Sequence, residues 1–266
     1  MESHWKGLPV PTCHQLLDRV LAAGIKRVIL YGPPGTGKTY SALNRVLNGK
    51  PSYRLVCTEE MTTMDVSGAI LPSTDGWQWR DGEATKAWRT GGRLVIDEID
   101  KANGDVFALL LAYTDSMGSA SYCLPNGETI YPHPDFSVVM TTNIEDPNDL
   151  PPALKDRFPI AIAMDQAHPQ ALESLPEEFR SIAAEVVAHS DKDKRASLRA
   201  FEAFGTLLSA GFQLAEACGL VFNENVAEAV QDAVMVGLVA SGADSSTVND
   251  IKDGFTSSDD LPDWEG

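Results

Sequence analysis

The hydrophobic positions in the first two thirds of the chain form short runs that are separated by amphipathic segments. Five runs have the length of buried strands: 27–31, 53–57, 94–96, 136–140 and 160–164. Apolar residues at helical spacing lie before or between these runs, near 16–21, 39–47, 83–90 and 105–116. Strands that alternate with helices are typical of a parallel sheet covered on both faces. The pattern therefore predicts an α/β fold with a five-stranded parallel sheet flanked by helices.

The pattern changes after about Gln166, where runs of strand length no longer occur. Segments near 169–190, 192–210 and 224–241 are rich in Ala, Leu, Val and Glu and are expected to be helical. From about Asp244 the chain contains seven acidic residues and one lysine, Lys252. We expect an α/β domain over 1–166, a small all-helical subdomain over 167–243 and an acidic, mobile tail over 244–266.

Composition narrows the classes of function. The 266 residues include 38 acidic and 21 basic side chains, so the net charge is −17 and direct nucleic-acid binding is not expected. No apolar run is long enough for a membrane span, and the N-terminus lacks the profile of a signal peptide. The cysteines are far apart and lack the spacing of a zinc site or a disulfide framework: Cys13, Cys57, Cys123 and Cys218. These features predict a cytoplasmic protein without a membrane anchor.

Residues 32–39 match the pattern G-x-x-x-x-G-K-[ST] and lie between an apolar strand and a helix. Consecutive backbone N–H groups of such a loop can surround a β-phosphate, and the positive end of the following helix faces the anion. Lys38 would carry its charge to the β- and γ-phosphates, and Thr39 would offer a hydroxyl to Mg²⁺. The predicted nucleotide-binding residues are Gly32, Pro33, Pro34, Gly35, Thr36, Gly37, Lys38 and Thr39.

An acidic pair, Asp97 and Glu98, ends the apolar run that begins at Leu94. Because buried strands exclude charge, carboxylates at the carboxyl end of a strand indicate the edge where a nucleotide site opens. We expect Asp97 to hold the water shell of Mg²⁺ and Glu98 to be the base that polarises the attacking water. Since neighbouring residues of a strand point in opposite directions, one carboxylate can face the metal and the other the γ-phosphate.

Four motifs, taken in order, resemble those of AAA+ ATPases: GPPGTGKT, LVIDEIDKA, a strand that ends in TTN at 141–143, and LKDRF at 154–158. The stretch before the acidic pair is similar to the MoxR-like and dynein-related branch in its small and aromatic residues: Gly68, Asp75, Gly76, Trp77, Trp79, Gly82, Ala87, Gly91 and Gly92. The resemblance covers roughly residues 10–240. It implies a P-loop core with a helical lid, and ATP and Mg²⁺ as cofactors.

The same resemblance implies further catalytic residues beside Glu98. Asn143 corresponds to sensor 1, an amide that positions the attacking water. Arg157 lies in the motif that carries the arginine finger, which reaches the ATP of the neighbouring subunit; a surface arginine paired with Asp156 is the alternative. Arg199 corresponds to the sensor 2 arginine of the lid, with Arg195 as a nearby alternative.

Two insertions of this branch are also recognisable. Residues 66–79 resemble the helix-2 insert, a hairpin that faces the pore of the ring, and its two tryptophans, Trp77 and Trp79, share a face. We expect them to pack on the domain, with contact to a substrate as the alternative. Residues 122–131 resemble the pre-sensor hairpin because Asn126-Gly127 is a strong turn signal, although a plain surface hairpin would show the same signal.

The resemblance implies a homo-oligomeric ring, expected to be a hexamer, that hydrolyses ATP at its subunit interfaces and remodels or activates a partner protein. In this branch the partner is often a protein with a von Willebrand A domain. One alternative is a GTP-dependent motor subunit of a restriction-type complex, since residues 143–146 match Asn-x-x-Asp. Another is a scaffold that binds nucleotide only for assembly, against which the intact Asp97, Glu98, Asn143 and Arg157 argue.

Overall fold

The computed structural model describes residues 12–44, 49–74, 76–175, 177–189 and 191–231. The chain divides into two compact units between Asp165 and Gln166. The expected tail over 244–266, Asp75 and the last part of the helix expected over 224–241 lie outside the described residues.

The first unit alternates helices and strands, as the sequence pattern predicts. In chain order its elements are α1 (Cys13–Ala22), β1 (Arg27–Tyr31), α2 (Lys38–Asn44), β2 (Ser52–Val56), α3 (Thr63–Ser67), β3 (Gly68–Ser73), β4 (Gly76–Asp81), α4 (Glu83–Thr90), β5 (Arg93–Asp97), α5 (Gly104–Tyr113), β6 (Tyr122–Cys123), β7 (Thr129–Ile130), β8 (Ser137–Thr141), α6 (Pro152–Arg157) and β9 (Ile160–Ala163).

Five of these strands form one parallel sheet in the order β2-β5-β8-β1-β9, which confirms the predicted fold class. Every residue of β5 and β8 is buried, because helices cover both faces of the central strands. Since all strands run in the same direction, the carboxyl ends of β1, β5 and β8 meet at one edge. The phosphate loop, the acidic pair and the segment that carries Asn143 leave the sheet at that edge.

The first predicted insertion is an antiparallel hairpin of β3 and β4. Trp79 packs against the core beside α4 and donates its Nε1–H to Asp81 Oδ1 at 2.6 Å. Trp77 is 74% exposed, so the expectation that both tryptophans pack on the domain is wrong for Trp77. The register explains the difference, because Trp77 pairs with Pro72 next to the turn and Trp79 lies nearer the core.

The second predicted insertion is also a hairpin, formed by β6 and β7. Arg89 of α4 joins it to the base of the first hairpin: Nη1 and Nη2 each donate to Glu128 at 2.7 Å, and Nε lies 2.8 Å from Asp81 Oδ2. A guanidinium that holds one carboxylate with two bonds fixes both distance and direction. The two hairpins are therefore tied to each other through α4.

The second unit is helical over its described residues, with α7 (Pro169–Glu173), α8 (Glu177–Val187), α9 (Leu198–Ser209), α10 (Leu214–Val221) and a further helical segment over 224–231. In its core the ring of Phe222 packs in tilted contacts against the rings of Phe201 and Phe204. The sequence pattern suggested one helix over 169–190, but the structure has two, and a proline at 176 disfavours helical backbone in the residue before it. The pattern gave no indication of α10, which is short and contains Gly219.

Candidate nucleotide-binding site

The phosphate loop connects β1 to α2, and its backbone has the shape that the motif predicts. Gly35 and Gly37 have φ of 80° and 91°, a conformation that strains residues with a side chain. The first N–H groups of α2 have no partner within the helix, so they are available to an anion. At the start of the loop Gly32 donates its N–H to the carbonyl of Ile144 at 2.9 Å, which joins the loop to the segment after β8.

Lys38 is buried, and its Nζ donates to the carbonyls of Gly32 and Pro33 at 2.8 Å and 2.7 Å. Both carbonyls belong to the phosphate loop itself. Burial lowers the pKa of Lys38 to about 8, against the opposite pull of nearby carboxylates, chiefly Asp97 and Asp100. Lys38 is thus a buried amine whose hydrogen bonds go to two neutral carbonyl oxygens.

Asp97 is buried at the end of β5, and both carboxylate oxygens are engaged. Oδ1 accepts from the hydroxyls of Thr39 at 2.7 Å and Thr141 at 2.5 Å, and Oδ2 accepts from Arg54. Burial would raise the pKa of Asp97, but the hydrogen bonds from Thr141, Arg54 and Thr39 outweigh it and hold the pKa below its usual range. The ionised carboxylate and the Thr39 hydroxyl are oxygen donors of the kind that Mg²⁺ prefers, so this pair fits the expected metal.

Glu98 lies beyond the end of β5 in the left-handed conformation, with φ 56° and ψ 49°. Strand alternation therefore does not relate the two acids, contrary to the expectation, because Glu98 lies outside β5 and has a left-handed backbone. Its N–H donates to Thr141 Oγ1 at 3.2 Å, and its Oε2 accepts from Lys101 Nζ at 2.7 Å. A left-handed residue with a side chain costs about 1–2 kcal/mol, and such strain concentrates at functional sites.

Asn143 lies two residues beyond β8, between two anchored neighbours. The hydroxyl of Thr142 donates a hydrogen bond to Asp100 Oδ1 at 2.7 Å, and the carbonyl of Ile144 accepts one from the N–H of Gly32. Asp146, the last residue of the Asn-x-x-Asp match, accepts from the N–H of Asn148 at 2.8 Å and caps a short 3₁₀ turn. The carboxylate of Asp146 therefore stabilises the start of this turn.

Arg157 ends α6 and packs back onto its own unit. Nε donates to the carbonyl of Leu111 at 3.1 Å, and Nη1 to that of Ala153 at 3.2 Å. Within the described residues, these bonds go to α5 and α6 and not to the phosphate loop. The side chain is half-buried, which leaves part of the guanidinium accessible.

The two candidate lid arginines belong to the second unit. Arg199 is exposed in the first turn of α9, where the hydroxyl of Ser197 accepts from the N–H of Ala200 and caps the helix. Arg195 lies before that helix and donates to the carbonyl of His189.

Three residues at the site were not predicted: Arg54 on β2, Thr141 at the end of β8 and Lys101 after the acidic pair. The sequence did contain a signal for Arg54: it is a charged residue inside a run of strand length, and the interior of a buried strand excludes charge.

Over the described ranges, no helix has the length and apolarity to cross a bilayer. The same residues contain no cluster of three or more His, Cys, Asp or Glu arranged to hold a metal.

A parallel sheet with a glycine-rich loop that leads into a helix, and an acidic strand end beside it, defines a P-loop nucleotide-binding domain. The sequence model of the AAA domain (dynein-related subfamily) matches residues 27–158. The chain belongs to the AAA+ ATPases, in their dynein-related, MoxR-like branch.

Three relatives share this domain. Protein CbbQ of Hydrogenophilus thermoluteolus is 33% identical over 185 residues, which cover 65% of this chain and 62% of the relative. The denitrification regulatory protein NirQ of Pseudomonas aeruginosa is 31% identical, with 57% and 58% covered. Protein NorQ of Paracoccus denitrificans is 32% identical, with 56% of each chain covered. This chain thus spans about 60% of the length of these three relatives.

Proposed function

We propose that the chain is an ATP-hydrolysing subunit of an AAA+ ring that remodels or activates a partner protein. One observation carries the proposal: Lys38, Thr39 and Asp97 converge at the carboxyl ends of β1 and β5, with Thr39 Oγ1 2.7 Å from Asp97 Oδ1. Lys38 can bind phosphate with its buried amine, and the oxygens of Thr39 and Asp97 beside it can bind a divalent ion.

Each residue of the loop has a distinct part in binding. Lys38 would exchange the carbonyls of Gly32 and Pro33 for oxygens of the β- and γ-phosphates, which gives its buried charge a partner. Thr39 donates its proton to Asp97, so its oxygen lone pairs remain available to Mg²⁺. When bound, Mg²⁺ supplies positive charge to the phosphates.

Hydrolysis needs a base, a water-positioning group and charge stabilisation. We assign Glu98 as the base, and in that role it would release Lys101 and turn toward the γ-phosphate. Asn143 would position the attacking water, because its neighbours fix the segment against the phosphate loop. Arg157 of one subunit would complete the site of the next, and Arg199 would act as the sensor of the lid.

The assembly and the partner follow from the family. We propose a homo-oligomeric, hexameric ring in the cytoplasm, with a protein partner that can carry a von Willebrand A domain. A relative named as a denitrification regulatory protein supports a regulatory role. The net charge of −17 supports a protein partner over a nucleic acid.

Lys38→Ala is expected to weaken nucleotide binding by roughly 10²-fold or more, because the phosphates lose a buried, charge-assisted donor. Isothermal titration with a slowly hydrolysed ATP analogue measures the loss. Lys86→Ala is the matched control, since Lys86 is a surface lysine paired with Glu83 on α4. Unchanged affinity in Lys38→Ala would contradict the assignment of residues 32–39.

Competition between ATP and GTP for the wild-type site tests the alternative of a GTP-dependent motor subunit.

Nucleotide binding is expected to take up protons above pH 8. Burial lowers the pKa of Lys38 to about 8, so without a bound anion the amine is mostly neutral one pH unit higher. A bound phosphate favours the charged form, so binding at about pH 9 takes up as much as about one proton per site, and the affinity falls as pH rises. Calorimetry in two buffers with different ionisation enthalpies measures the uptake. Equal apparent enthalpies at pH 9 would contradict this assignment of Lys38.

A further inference from the structure

Arg54 reaches the acidic strand end from the neighbouring strand. It lies on β2, an edge strand of the sheet, whose Val56 is paired in register with Asp97. Its guanidinium extends forward along the strand to Asp97 Oδ2, with Nη2 at 2.5 Å and Nε at 3.2 Å. The side chain of Arg54 is 48% exposed, whereas that of Asp97 is 5% exposed. A half-exposed cation thus contacts a buried anion.

The two oxygens of Asp97 have different kinds of partner. Oδ1 accepts from the hydroxyls of Thr39 and Thr141, and Oδ2 accepts from Arg54. A buried carboxylate needs an opposite charge or several hydrogen bonds. Lys38 is directed at the loop carbonyls, and Lys101 is paired with Glu98. Arg54 is therefore the charged side chain that pairs with Asp97 among the described residues.

A divalent ion at Thr39 and Asp97 would compensate the same carboxylate. We infer that Arg54 is an exchangeable counter-ion of Asp97: it neutralises the carboxylate in the empty site and gives way when a metal–nucleotide complex binds. The inference rests on the proposed function, because it takes Asp97 as the residue that faces the metal. The partial exposure of Arg54 lets the guanidinium move to solvent or toward the phosphates without opening the core.

Arg54 is thus a positioning residue whose effect lies in the coupling between metal and nucleotide. The measured quantity is the ratio of the affinity for a fluorescent ADP analogue with Mg²⁺ to the affinity with EDTA. Arg54→Met keeps the apolar stem and removes the charge, so Mg²⁺ no longer competes with a guanidinium. We expect the ratio to rise roughly tenfold, as for the loss of one charge-assisted hydrogen bond at a partly exposed site.

Two further variants separate charge from shape and position. Arg54→Lys keeps a cation near Asp97 and is expected to leave the ratio within about threefold of wild type. Arg80→Met removes an exposed arginine of β4 and is the matched control for lost surface charge. An unchanged or smaller ratio in Arg54→Met, or equal rises in Arg54→Met and Arg54→Lys, would overturn the inference.

The melting temperature of nucleotide-free protein tests the pair of Arg54 and Asp97 directly. Arg54→Met leaves Asp97 buried without its counter-ion, so its melting temperature is expected to fall below that of Arg80→Met. Adding Asp97→Asn to Arg54→Met removes the buried charge and is expected to recover part of that loss. Additive losses in the double variant would count against the pairing.

The outcomes distinguish a failure of the proposed function from a failure of the role of Arg54. If wild-type protein does not bind the ADP analogue with or without Mg²⁺, the proposed function fails, and the inference fails with it. If wild-type protein binds normally and Arg54→Met has an unchanged ratio, only the role of Arg54 fails.

Discussion

Glu98→Gln protein is expected to bind ATP with near wild-type affinity and to hydrolyse it roughly 10² to 10⁴-fold more slowly, as for the loss of a general base. The amide has the size of the carboxylate and leaves the loop, Thr39 and Asp97 in place. It cannot take the proton of the attacking water, and it loses the ion pair that Oε2 makes with Lys101. Single-turnover release of phosphate, together with titration of a slowly hydrolysed analogue, separates chemistry from binding.

Two comparisons make this experiment specific. Glu60→Gln removes an exposed acid from the loop after β2 and is expected to hydrolyse ATP normally. Lys101→Met frees the carboxylate of Glu98 while keeping the base, so it separates the effect of the ion pair from that of the base. A decrease of no more than twofold in Glu98→Gln would assign the base elsewhere, and Asp100, which accepts from Thr142, would be the next candidate.

The sequence was sufficient for the sheet and the phosphate loop because their determinants are local. A buried strand needs only a continuous apolar run, and the loop needs glycines at positions where φ is positive, such as Gly35 and Gly37. Thr39 and Asp97 could be paired in advance for a related reason. Asp97 ends β5 and Thr39 lies in the helix that follows β1, and the carboxyl ends of strands in one parallel sheet share an edge.

The surroundings of Asp97 could not be predicted in the same way. Arg54 and Thr141 come from β2 and β8, the two neighbours of β5, so their contacts depend on strand order and register. No local pattern encodes either. The left-handed backbone of Glu98 was also missed, because a glutamate carries no signal for that conformation, whereas a glycine would have carried one.

The exposure of Trp77 and the presence of α10 were also not predicted from the sequence. Trp77 and Trp79 have the same chemistry and the same strand periodicity, yet only Trp79 reaches the core, because a hairpin leaves the domain as it extends. In the second unit, α10 was missed because it has only eight residues and most of them are apolar, so a helical period does not stand out.

Arg157→Ala is expected to bind ATP with near-normal affinity and to lose roughly 10³ to 10⁵-fold in hydrolysis, the range for loss of an arginine finger. Arg157 ends α6 after the segment of Asn143, where this branch places a residue that serves the next subunit. Its bonds to Leu111 and Ala153 lie on its own unit, and a half-buried guanidinium retains further donors. The inactive variant is expected to regain turnover when it is mixed with Lys38→Ala protein. Mixed rings contain interfaces where an intact Lys38 site meets an intact Arg157.

The competing explanation is structural, because Arg157 also binds the carbonyl of Leu111 near the end of α5. Arg27→Ala is the matched control, since Arg27 donates to the carbonyl of Thr114 at 3.1 Å and so contacts the same end of that helix. If hydrolysis depends only on anchoring α5, both variants lower the melting temperature and the turnover together, and mixing recovers nothing. If Arg157 acts in trans, only Arg157→Ala loses turnover beyond its change in stability. Wild-type specific activity then rises with protein concentration, because a lone subunit lacks a complete site. Specific activity that stays flat down to dilute monomer would leave Arg157 as a structural residue and remove the main support for catalysis between subunits.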